Sequence, residues 1–272
     1  MENIRLGIFD IDGTIRNSEG IPPEVIEGFR NLYSEGVITT ILTGRGYKRA
    51  REALGLNYPS LVRRGILVGL ENGSRITKWG GRQNIIYHPL HSSEITAVVD
   101  ATLMGDVNFV AYFPEKTRRK AVVWTPNASN AEQLQKKYGH FAVVSHLPPS
   151  SFEHKAKIDN PSMLAIKPLN DEWITALPNG INASTNEGLV NVNRRGIDKG
   201  TGLSDIRELL GFDPTDVLFA GNDHNDIPAF VNNATGSNIL VGPNLSGLLT
   251  APYHYINNVP ELGTYLQRYK SS

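Results

Sequence analysis

The chain has 272 residues, of which 40% are hydrophobic and 20% are charged, with a formal net charge of zero and a pI near 7.1. This balance is typical of a globular protein and argues against nucleic acid or a membrane surface as the main partner. Because the chain has no cysteine, disulfides, thiolate metal sites and cysteine catalysis are excluded. No apolar run approaches the length of a membrane span and the first predicted strand begins almost at Met1, so we expect a cytoplasmic protein.

Two acidic residues follow the first predicted strand. The apolar run Leu6–Phe9 is typical of a buried strand, and Asp10, Asp12 and the turn signal Gly13-Thr14 come directly after it. Open α/β sheets bind their ligands at the carboxyl ends of their strands. An aspartate that caps a turn would explain either residue alone. The pair before Gly-Thr indicates a functional site, with Asp10 as a nucleophile or metal ligand and Asp12 directed at the same place.

A strand–helix–strand pattern follows this first strand. The β-branched run 37–42 predicts a second buried strand, which ends in Thr43, Gly44 and Arg45. A right-handed crossover between parallel strands would put Thr43 at the same edge of the sheet as Asp10. A turn that opens a helix is the ordinary alternative explanation for Thr43.

The pattern changes after a third apolar run, 66–70, and a predicted hairpin. The run is followed by Glu71, Asn72 and Gly73. From about residue 89, helices and strands alternate without a carboxylate at any strand end, which predicts a separate α/β region of roughly one hundred residues, an antiparallel sheet with helices on one side. Within it a helix is predicted over 171–177, whereas the polar stretch 145–161 has no assignable pattern.

The first pattern resumes at residue 181. Two short strands are predicted over 181–185 and 189–192, and Lys199 then opens a helical segment. A further apolar run, 217–220, ends in the string GNDHND at 221–226, whose carboxylates and amides suit a hard cation that prefers oxygen ligands.

Four strings, in this order, resemble the four motifs of the haloacid dehalogenase superfamily of phosphohydrolases. They are DIDGT at 10–14, ILTGR at 41–45, RRGIDKGTG at 194–202 and GNDHND at 221–226. The resemblance implies that Asp10 attacks phosphorus and becomes an aspartyl phosphate, and that Asp12 protonates the leaving oxygen and then activates water. It also implies that Thr43 binds the transferring phosphoryl group and that Lys199 neutralises charge on the nucleophile and the phosphoryl oxygens.

Mg²⁺ is the cofactor that the resemblance implies. Its ligands would be the Asp10 carboxylate, the Asp12 backbone carbonyl and side chains of the fourth motif. Asp226 aligns with that motif directly, but Asn222 stands where the family has its first aspartate, and Asp223 comes one place later. Either Asn222 is the ligand, which gives a site with one fewer negative charge, or Asp223 is used instead.

Further residues, in these strings and after the third apolar run, are candidates for contact with a substrate. With Thr43 and Lys199, the candidate substrate-binding residues are Gly44, Arg45, Asn72 and Asn225. The ordinary alternatives are a turn residue for Asn72 and a surface charge for Arg45.

The resemblance implies an α/β fold with a doubly wound, mainly parallel, Rossmann-like core sheet and an inserted α/β cap domain. We predict a catalytic core of residues 1–84 and 181–272 and a substrate-specificity cap of residues 85–180. The position and size of the insertion resemble the Cof-like branch of the superfamily, subfamily IIB, which has a C2-type cap.

The function implied is that of a Mg²⁺-dependent phosphatase acting on a small phosphorylated metabolite, with a sugar phosphate as the expected substrate class. Two alternatives remain open. A phosphomutase resembling the phosphomannomutase branch would use the same core, and a catalytically silent binding or regulatory protein is suggested by Asn222. The sequence predicts no nucleic-acid or membrane partner and indicates no oligomeric state.

Overall fold

The computed structural model describes residues 4–81, 83–104, 107–115, 120–140, 142–169, 177, 181–186, 188–232, 235–243, 245 and 247–270. The chain divides into two compact units, the first formed by Met1–Ile86 with Asp198–Ser272 and the second by Tyr87–Ile197. Within the described ranges, a helix of membrane-spanning length and hydropathy is absent.

Strands and helices alternate along much of the chain. The strands are β1 (Leu6–Phe9), β2 (Ile38–Ile41), β3 (Leu67–Leu70), β4 (Arg75–Lys78), β5 (Asn84–Tyr87), β6 (Val107–Tyr112), β7 (Ala121–Trp124), β8 (Ala142–Ser145), β9 (Met163–Pro168), β10 (Asn182–Asn186), β11 (Leu189–Asn193), β12 (Val217–Gly221), β13 (Ser237–Val241) and β14 (His254–Ile256). The helices are α1 (Pro23–Ser34), α2 (Tyr47–Leu54), α3 (Tyr58–Leu61), α4 (Ser92–Met104), α5 (Ala128–Tyr138), α6 (Pro149–Asp159), α7 (Lys199–Leu210), α8 (Ile227–Val231) and α9 (Val259–Gln267).

A five-stranded parallel sheet forms the centre of the first unit. Its strand order is β14-β13-β12-β1-β2, so that β1 lies between β2 and β12. An isolated parallel bridge between Leu42 and Gly69 connects the end of β2 to β3, which pairs antiparallel with β4 in a three-stranded sheet completed by β5. The carboxyl ends of β1, β2 and β12 therefore meet at one edge.

Helices cover both faces of the parallel sheet. On one face Phe9 packs in a buried cluster with Phe29 of α1 and Leu262 of α9. On the other, Ile8 belongs to a cluster with Ile206 of α7 and Phe230 of α8. Successive side chains of β1 thus point to opposite faces, and both faces exclude water. This confirms the predicted doubly wound α/β core.

The second unit is built on a six-stranded sheet of order β10-β11-β9-β6-β7-β8, in which only the pair β7–β8 is parallel among the pairings of the described residues. Trp124 packs with Phe152 of α6 in the cluster on one face. Val123 packs with Leu134 of α5 in the cluster on the other. Helices therefore lie on both faces, and the prediction of helices on one side is wrong. All four residues of β7 are apolar and buried, which is typical of a strand covered on both faces.

Of two further stretches in this unit, the structure describes the first and only one residue of the second. The stretch 145–161, which has no assignable pattern, contains the end of β8 and the helix α6. Only Phe152 and Ala156 of α6 are buried, which leaves too narrow an apolar stripe for a helical pattern. The helix predicted over 171–177 falls on residues that, apart from 177, lie outside the described ranges.

The strands β10 and β11 also differ from expectation. The sequence pattern places them in the resumed core, but β11 pairs with β9 in the sheet of the second unit, with Asn193 opposite Met163. Short strands have no sequence signal that names their partner sheet. The residue ranges of core and cap, and the C2 class of the cap, stay predictions.

Candidate active site

The predicted site residues of the first unit lie at the ends of neighbouring strands. Asp10 follows β1, Thr43 comes two residues after β2, and Asn222 follows β12. Since these three strands are adjacent and parallel, their polar side chains lie at one edge of the sheet. Lys199, the first residue of α7, is at the same edge, because it contacts Asp10 directly.

The Lys199 ammonium is fully buried and joins two carboxylates. Its Nζ donates to Oδ1 of Asp10 over 2.7 Å and to Oδ1 of Asp226 over 2.6 Å. The α7 terminus is held by Asp198, whose side chain accepts the backbone N–H of Thr201. The first turn of α7 also lies against the turn after β3, where a Cβ on Gly202 would come within 2.4 Å of the Gly73 Cα. Close backbone packing thus places Lys199 between the two acids.

Burial and charge determine how this cluster ionises. Burial and, to a smaller extent, the Asp226 charge raise the pKa of Asp10 to about 7, against the opposing effect of Lys199. For Lys199, burial lowers the pKa, but the charges of Asp10 and Asp226 more than offset this and hold it above its ordinary value. Lys199 is therefore charged at neutral pH, whereas Asp10 is close to the midpoint of its titration.

Asp226 uses both carboxylate oxygens within the protein. Oδ1 accepts from Lys199, and Oδ2 accepts the backbone N–H groups of Asn222 and Asp223 over 2.9 and 3.1 Å. The fully buried Asp226 therefore orients the turn that presents Asn222 and shares the Lys199 ammonium with Asp10.

Asn222 and Asp223 point to different partners. The amide oxygen of Asn222 accepts the Thr14 hydroxyl over 3.0 Å, which places it against the turn that follows β1. The Asp223 carboxylate accepts the backbone N–H of His224 over 2.7 Å and caps the short helical turn 224–226. Of the two candidates, Asn222 is the one adjacent to the first motif. The sequence position of Thr14 predicts no role for it, since a hydroxyl after Asp-Gly is common in turns.

Asp12 is paired with arginine. Arg45 donates from Nε to Oδ2 over 2.5 Å and from Nη2 to Oδ1 over 2.8 Å, and Arg16 makes a longer contact of 3.4 Å to Oδ1. The structure thus brings Arg45, a candidate for substrate contact, against the side chain of Asp12.

Thr43 is buried beneath the site. Its backbone N–H donates to the Gly69 carbonyl, and its own carbonyl accepts from the Asn72 backbone, each over 3.0 Å. Its Oγ1 accepts the backbone N–H of Arg45 over 3.2 Å. These contacts fix the Thr43 hydroxyl between the ends of β2 and β3.

Asn72 and Asn225 form a buried amide pair beside Gly44. Asn225 Nδ2 donates to Asn72 Oδ1 over 3.2 Å, and a Cβ on Gly44 would lie 3.0 Å from the same oxygen. Glu71 and Asn72 both have left-handed backbones, with φ of 54° and 57°, which turns the chain sharply at the end of β3. Asn225 Oδ1 is buried and has no hydrogen-bond partner within the described structure. A buried acceptor without a partner is uncommon in folded proteins.

The oxygen donors fit Mg²⁺ coordinated partly by water. In the described part of the chain, no three His, Cys, Asp or Glu side chains group so as to hold a metal by themselves. The second carboxylate oxygen of Asp10 and the amide oxygen of Asn222 are hard donors, and the Asp12 carbonyl belongs to the same turn. Mg²⁺ commonly uses one or two carboxylates, several waters and substrate phosphate oxygens. This donor set meets that requirement without Asp223.

Comparison with known proteins adds a relative and two structural neighbours. The 5-amino-6-(5-phospho-D-ribitylamino)uracil phosphatase YcsE of Bacillus subtilis is 27% identical over 227 residues, which cover 83% of this chain and 79% of that protein. The sugar phosphatase BT4131 of HAD subclass IIB has a TM-score of 0.74 at 19% identity over 95% of each chain. BT1666 from Bacteroides thetaiotaomicron has a TM-score of 0.75 at 18% identity over 97% of this chain and 94% of its own. The two structures have the same fold as this protein.

A family match covers most of the sequence. Residues 8–237 match the haloacid dehalogenase-like hydrolase family, a span that begins within β1 and ends at the start of β13. It includes all four strings that resemble the superfamily motifs. On this match, the chain belongs to the haloacid dehalogenase-like hydrolase family.

Proposed function

We propose that this protein is a Mg²⁺-dependent phosphatase that hydrolyses a small phosphorylated metabolite, a sugar phosphate, through an aspartyl-phosphate intermediate on Asp10. The proposal rests on the buried Lys199 ammonium, which lies 2.7 Å from Asp10 and 2.6 Å from Asp226 at the ends of the parallel strands. A cation fixed beside a carboxylate nucleophile lowers the repulsion that a phosphate dianion would otherwise meet.

The first step forms the intermediate. An Asp10 carboxylate oxygen attacks phosphorus, and the bond between phosphorus and the ester oxygen breaks. The protonated Asp12 carboxyl gives its proton to the departing oxygen, which leaves as the alcohol. Lys199 and the Thr43 hydroxyl hold the phosphoryl oxygens during the transfer.

The second step regenerates the enzyme. The Asp12 carboxylate takes a proton from water, whose oxygen attacks the phosphorus of the aspartyl phosphate. The bond between phosphorus and Asp10 breaks, inorganic phosphate leaves, and Asp10 returns as a carboxylate with Asp12 again protonated. Each residue thus ends the cycle in the state in which it began.

The residues that would hold Mg²⁺ are Asp10 and Asn222 through their side chains and Asp12 through its backbone carbonyl. When bound, Mg²⁺ would offset negative charge on the phosphoryl group. Asp226 holds Lys199 and orients the Asn222 backbone, so it acts through its neighbours. Asp223 caps its own turn.

The substrate class is proposed from the activities for which two similar proteins are named. YcsE is named for a phosphorylated ribityl compound and BT4131 as a sugar phosphatase. We assign substrate choice to the inserted domain predicted at residues 85–180, and we place the reaction in the cytoplasm. Small phosphorylated molecules are the proposed partners.

The test is a panel of sugar and other metabolite phosphates, assayed for phosphate release with and without Mg²⁺. The native protein should release phosphate only with the metal, and acid-quenched samples should contain protein heavier by one phosphoryl group. Asp10→Asn should do neither. Asp223→Asn should keep both properties, because Asp223 caps the turn 224–226.

Three results would contradict the proposal or one of its parts. Transfer of the phosphoryl group between two hydroxyls of the substrate without phosphate release would identify a mutase. Binding of phosphoesters without turnover of any of them would identify a silent binding protein. Hydrolysis by Asp10→Asn at the native rate would remove Asp10 as the nucleophile.

A further inference from the structure

Both oxygens of the Asp12 carboxylate are bound by one arginine. Arg45 Nε and Nη2 donate to Oδ2 and Oδ1 over 2.5 and 2.8 Å, which is the two-bond geometry of a guanidinium on a carboxylate. Two parallel bonds fix the plane and the rotamer of the acid, whereas a single contact would leave it free to rotate. The pair is largely shielded, with 22% of the Arg45 side chain and 15% of the Asp12 side chain exposed.

The backbone of Arg45 is hydrogen-bonded to residues that follow two neighbouring strands, β2 and β3. Its backbone N–H donates to Thr43 Oγ1 over 3.2 Å, and its carbonyl accepts the backbone N–H of Glu71 over 3.1 Å. The guanidinium therefore extends from a backbone segment that is fixed relative to Thr43. The loop that carries Asp12 closes on itself, because the Gly13 N–H donates to the Arg16 carbonyl over 2.7 Å.

We infer that Arg45 is the positioning residue of Asp12, and that its guanidinium serves the acid directly instead of binding the substrate phosphate. The inference rests on the proposed function, in which Asp12 gives a proton to the leaving oxygen and later takes one from water. By holding both carboxylate oxygens, Arg45 keeps the Asp12 side chain in one orientation between turnovers. A carboxyl that has lost this support would occupy several rotamers, few of which reach the leaving oxygen.

The inference makes the effect of Arg45 depend on the leaving group. Protonation of the departing oxygen contributes most when that oxygen is strongly basic and least when it is a good leaving group. Phenyl phosphate and p-nitrophenyl phosphate have similar size but differ in this property. An arginine that only binds phosphate would affect both esters equally, because their phosphate groups are the same.

The experiment measures kcat and KM for both esters with Mg²⁺ in the native protein, Arg45→Met, Arg45→Lys, Asp12→Asn and the double variant Arg45→Met/Asp12→Asn. In Arg45→Met, kcat should fall about a hundredfold for phenyl phosphate, less than about tenfold for p-nitrophenyl phosphate, and KM should change less than about threefold. In the Asp12→Asn background, Arg45→Met should lower kcat by less than about threefold, because the two residues act as one unit.

Arg45→Lys keeps the charge and loses the two-bond geometry, so it should show the same selective loss in smaller measure, about tenfold on phenyl phosphate. If circular dichroism and thermal melting show that Arg45→Met does not fold, the Arg45→Lys variant tests the inference in its place. Arg30→Met is the matched control, since Arg30 is exposed and paired with Glu27 on α1. It should leave the ratio of the two rates unchanged.

Equal losses on both esters with a raised KM would overturn the inference and make Arg45 a substrate contact. Losses that multiply in the double variant would also overturn it, because the two residues would then act independently. Either result leaves the proposed function intact if the native protein is active. A native protein inactive on both esters would overturn the proposed function, and the inference with it.

Discussion

At the scale of single residues, Asn222 is the position where this chain departs from its family's fourth motif. Its amide oxygen is oriented by the Thr14 hydroxyl, and its backbone is held by Asp226. A neutral amide ligates Mg²⁺ more weakly than a carboxylate, because it lacks the charge that compensates for removing water from the cation.

Asn222→Asp should therefore tighten Mg²⁺ binding. The Mg²⁺ concentration that gives half-maximal phosphatase activity should fall about tenfold, as expected for one added carboxylate near a divalent cation. Asp223→Asn is the companion variant, and it should leave both this concentration within about twofold and the stability within about 0.5 kcal/mol, because an asparagine oxygen caps a helical turn about as well as an aspartate oxygen. If Asp223→Asn raises the Mg²⁺ requirement and Asn222→Asp does not lower it, Asp223 is the ligand.

Asp10 makes the stability of the metal-free protein depend on pH. Its pKa is about 7 in the fold, against an ordinary value of 3.8, and burial is the main cause. Between these values the folded state binds more protons than the unfolded state, so this group lowers stability as the pH rises from about 4 to about 7.

Asp10→Asn should remove this loss of stability with rising pH. Relative to the native protein, the variant should gain free energy of unfolding between pH 5 and pH 8, by at most about 4 kcal/mol. Urea unfolding in the presence of a chelator measures it, with Asp100→Asn on the exposed face of α4 as the control. A difference between variant and native protein that stays constant with pH would show that Asp10 ionises in its ordinary range.

Some of the site was predictable from the sequence and some was not. The positions of Asp10, Thr43 and Asn222 at one sheet edge follow from apolar runs, turn residues and the crossover rule, whereas that of Lys199 follows from the resemblance of its segment to the family's third motif. The pairing of Arg45 with Asp12 does not, because two loops 33 residues apart meet through side-chain geometry that no periodicity encodes. The same holds for the capping role of Asp223, which depends on the local backbone after β12.

At the scale of elements, the helices α1 and α9 pack unusually closely. A Cβ on Gly263 would lie 2.3 Å from the Glu24 carbonyl carbon, and one on Gly28 would lie 2.7 Å from the Gly263 carbonyl oxygen. Backbone therefore lies against backbone, and there is no flexible side chain that could move aside. The apolar periodicity of both helices predicts that they are amphipathic, but it does not say which glycine forms the contact.

Gly263→Ala should destabilise the first unit. Alanine favours a helix over glycine by about 1 kcal/mol, but insertion of a methyl group against backbone costs about 1–3 kcal/mol or more, so we expect a net loss of about 2 kcal/mol. Urea unfolding measures the change, and Glu27→Ala on the exposed side of α1 should stay within about 0.5 kcal/mol of the native protein. If the Gly263→Ala protein were more stable than the native one, α1 and α9 could move apart without a loss in the free energy of unfolding, and the prediction would be wrong.

At the scale of the whole molecule, the buried apolar side chains of the described residues form four clusters, and each cluster lies within one unit. Two belong to the parallel sheet and its helices, and two belong to the six-stranded sheet. The strand patterns predict two regions, but the assignment of β10 and β11 depends on pairing with β9, a contact between strands distant in sequence. Separate cores predict units that lose stability separately.

Phe152→Ala tests this independence. Phe152 is fully buried in the second unit and stacks on Trp124 with ring centroids 4.5 Å apart, so its removal should cost about 3–5 kcal/mol. Amide hydrogen exchange should accelerate in β7 and β9 and stay unchanged in β1 and β12. Phe29→Ala is the reciprocal variant, because Phe29 packs on Phe9 in the first unit. It should accelerate exchange in β1, with or without β12, and leave exchange in β7 and β9 unchanged. Acceleration in all four strands by either variant would mean that the chain unfolds as one cooperative unit, since the loss of one core would then carry the other with it.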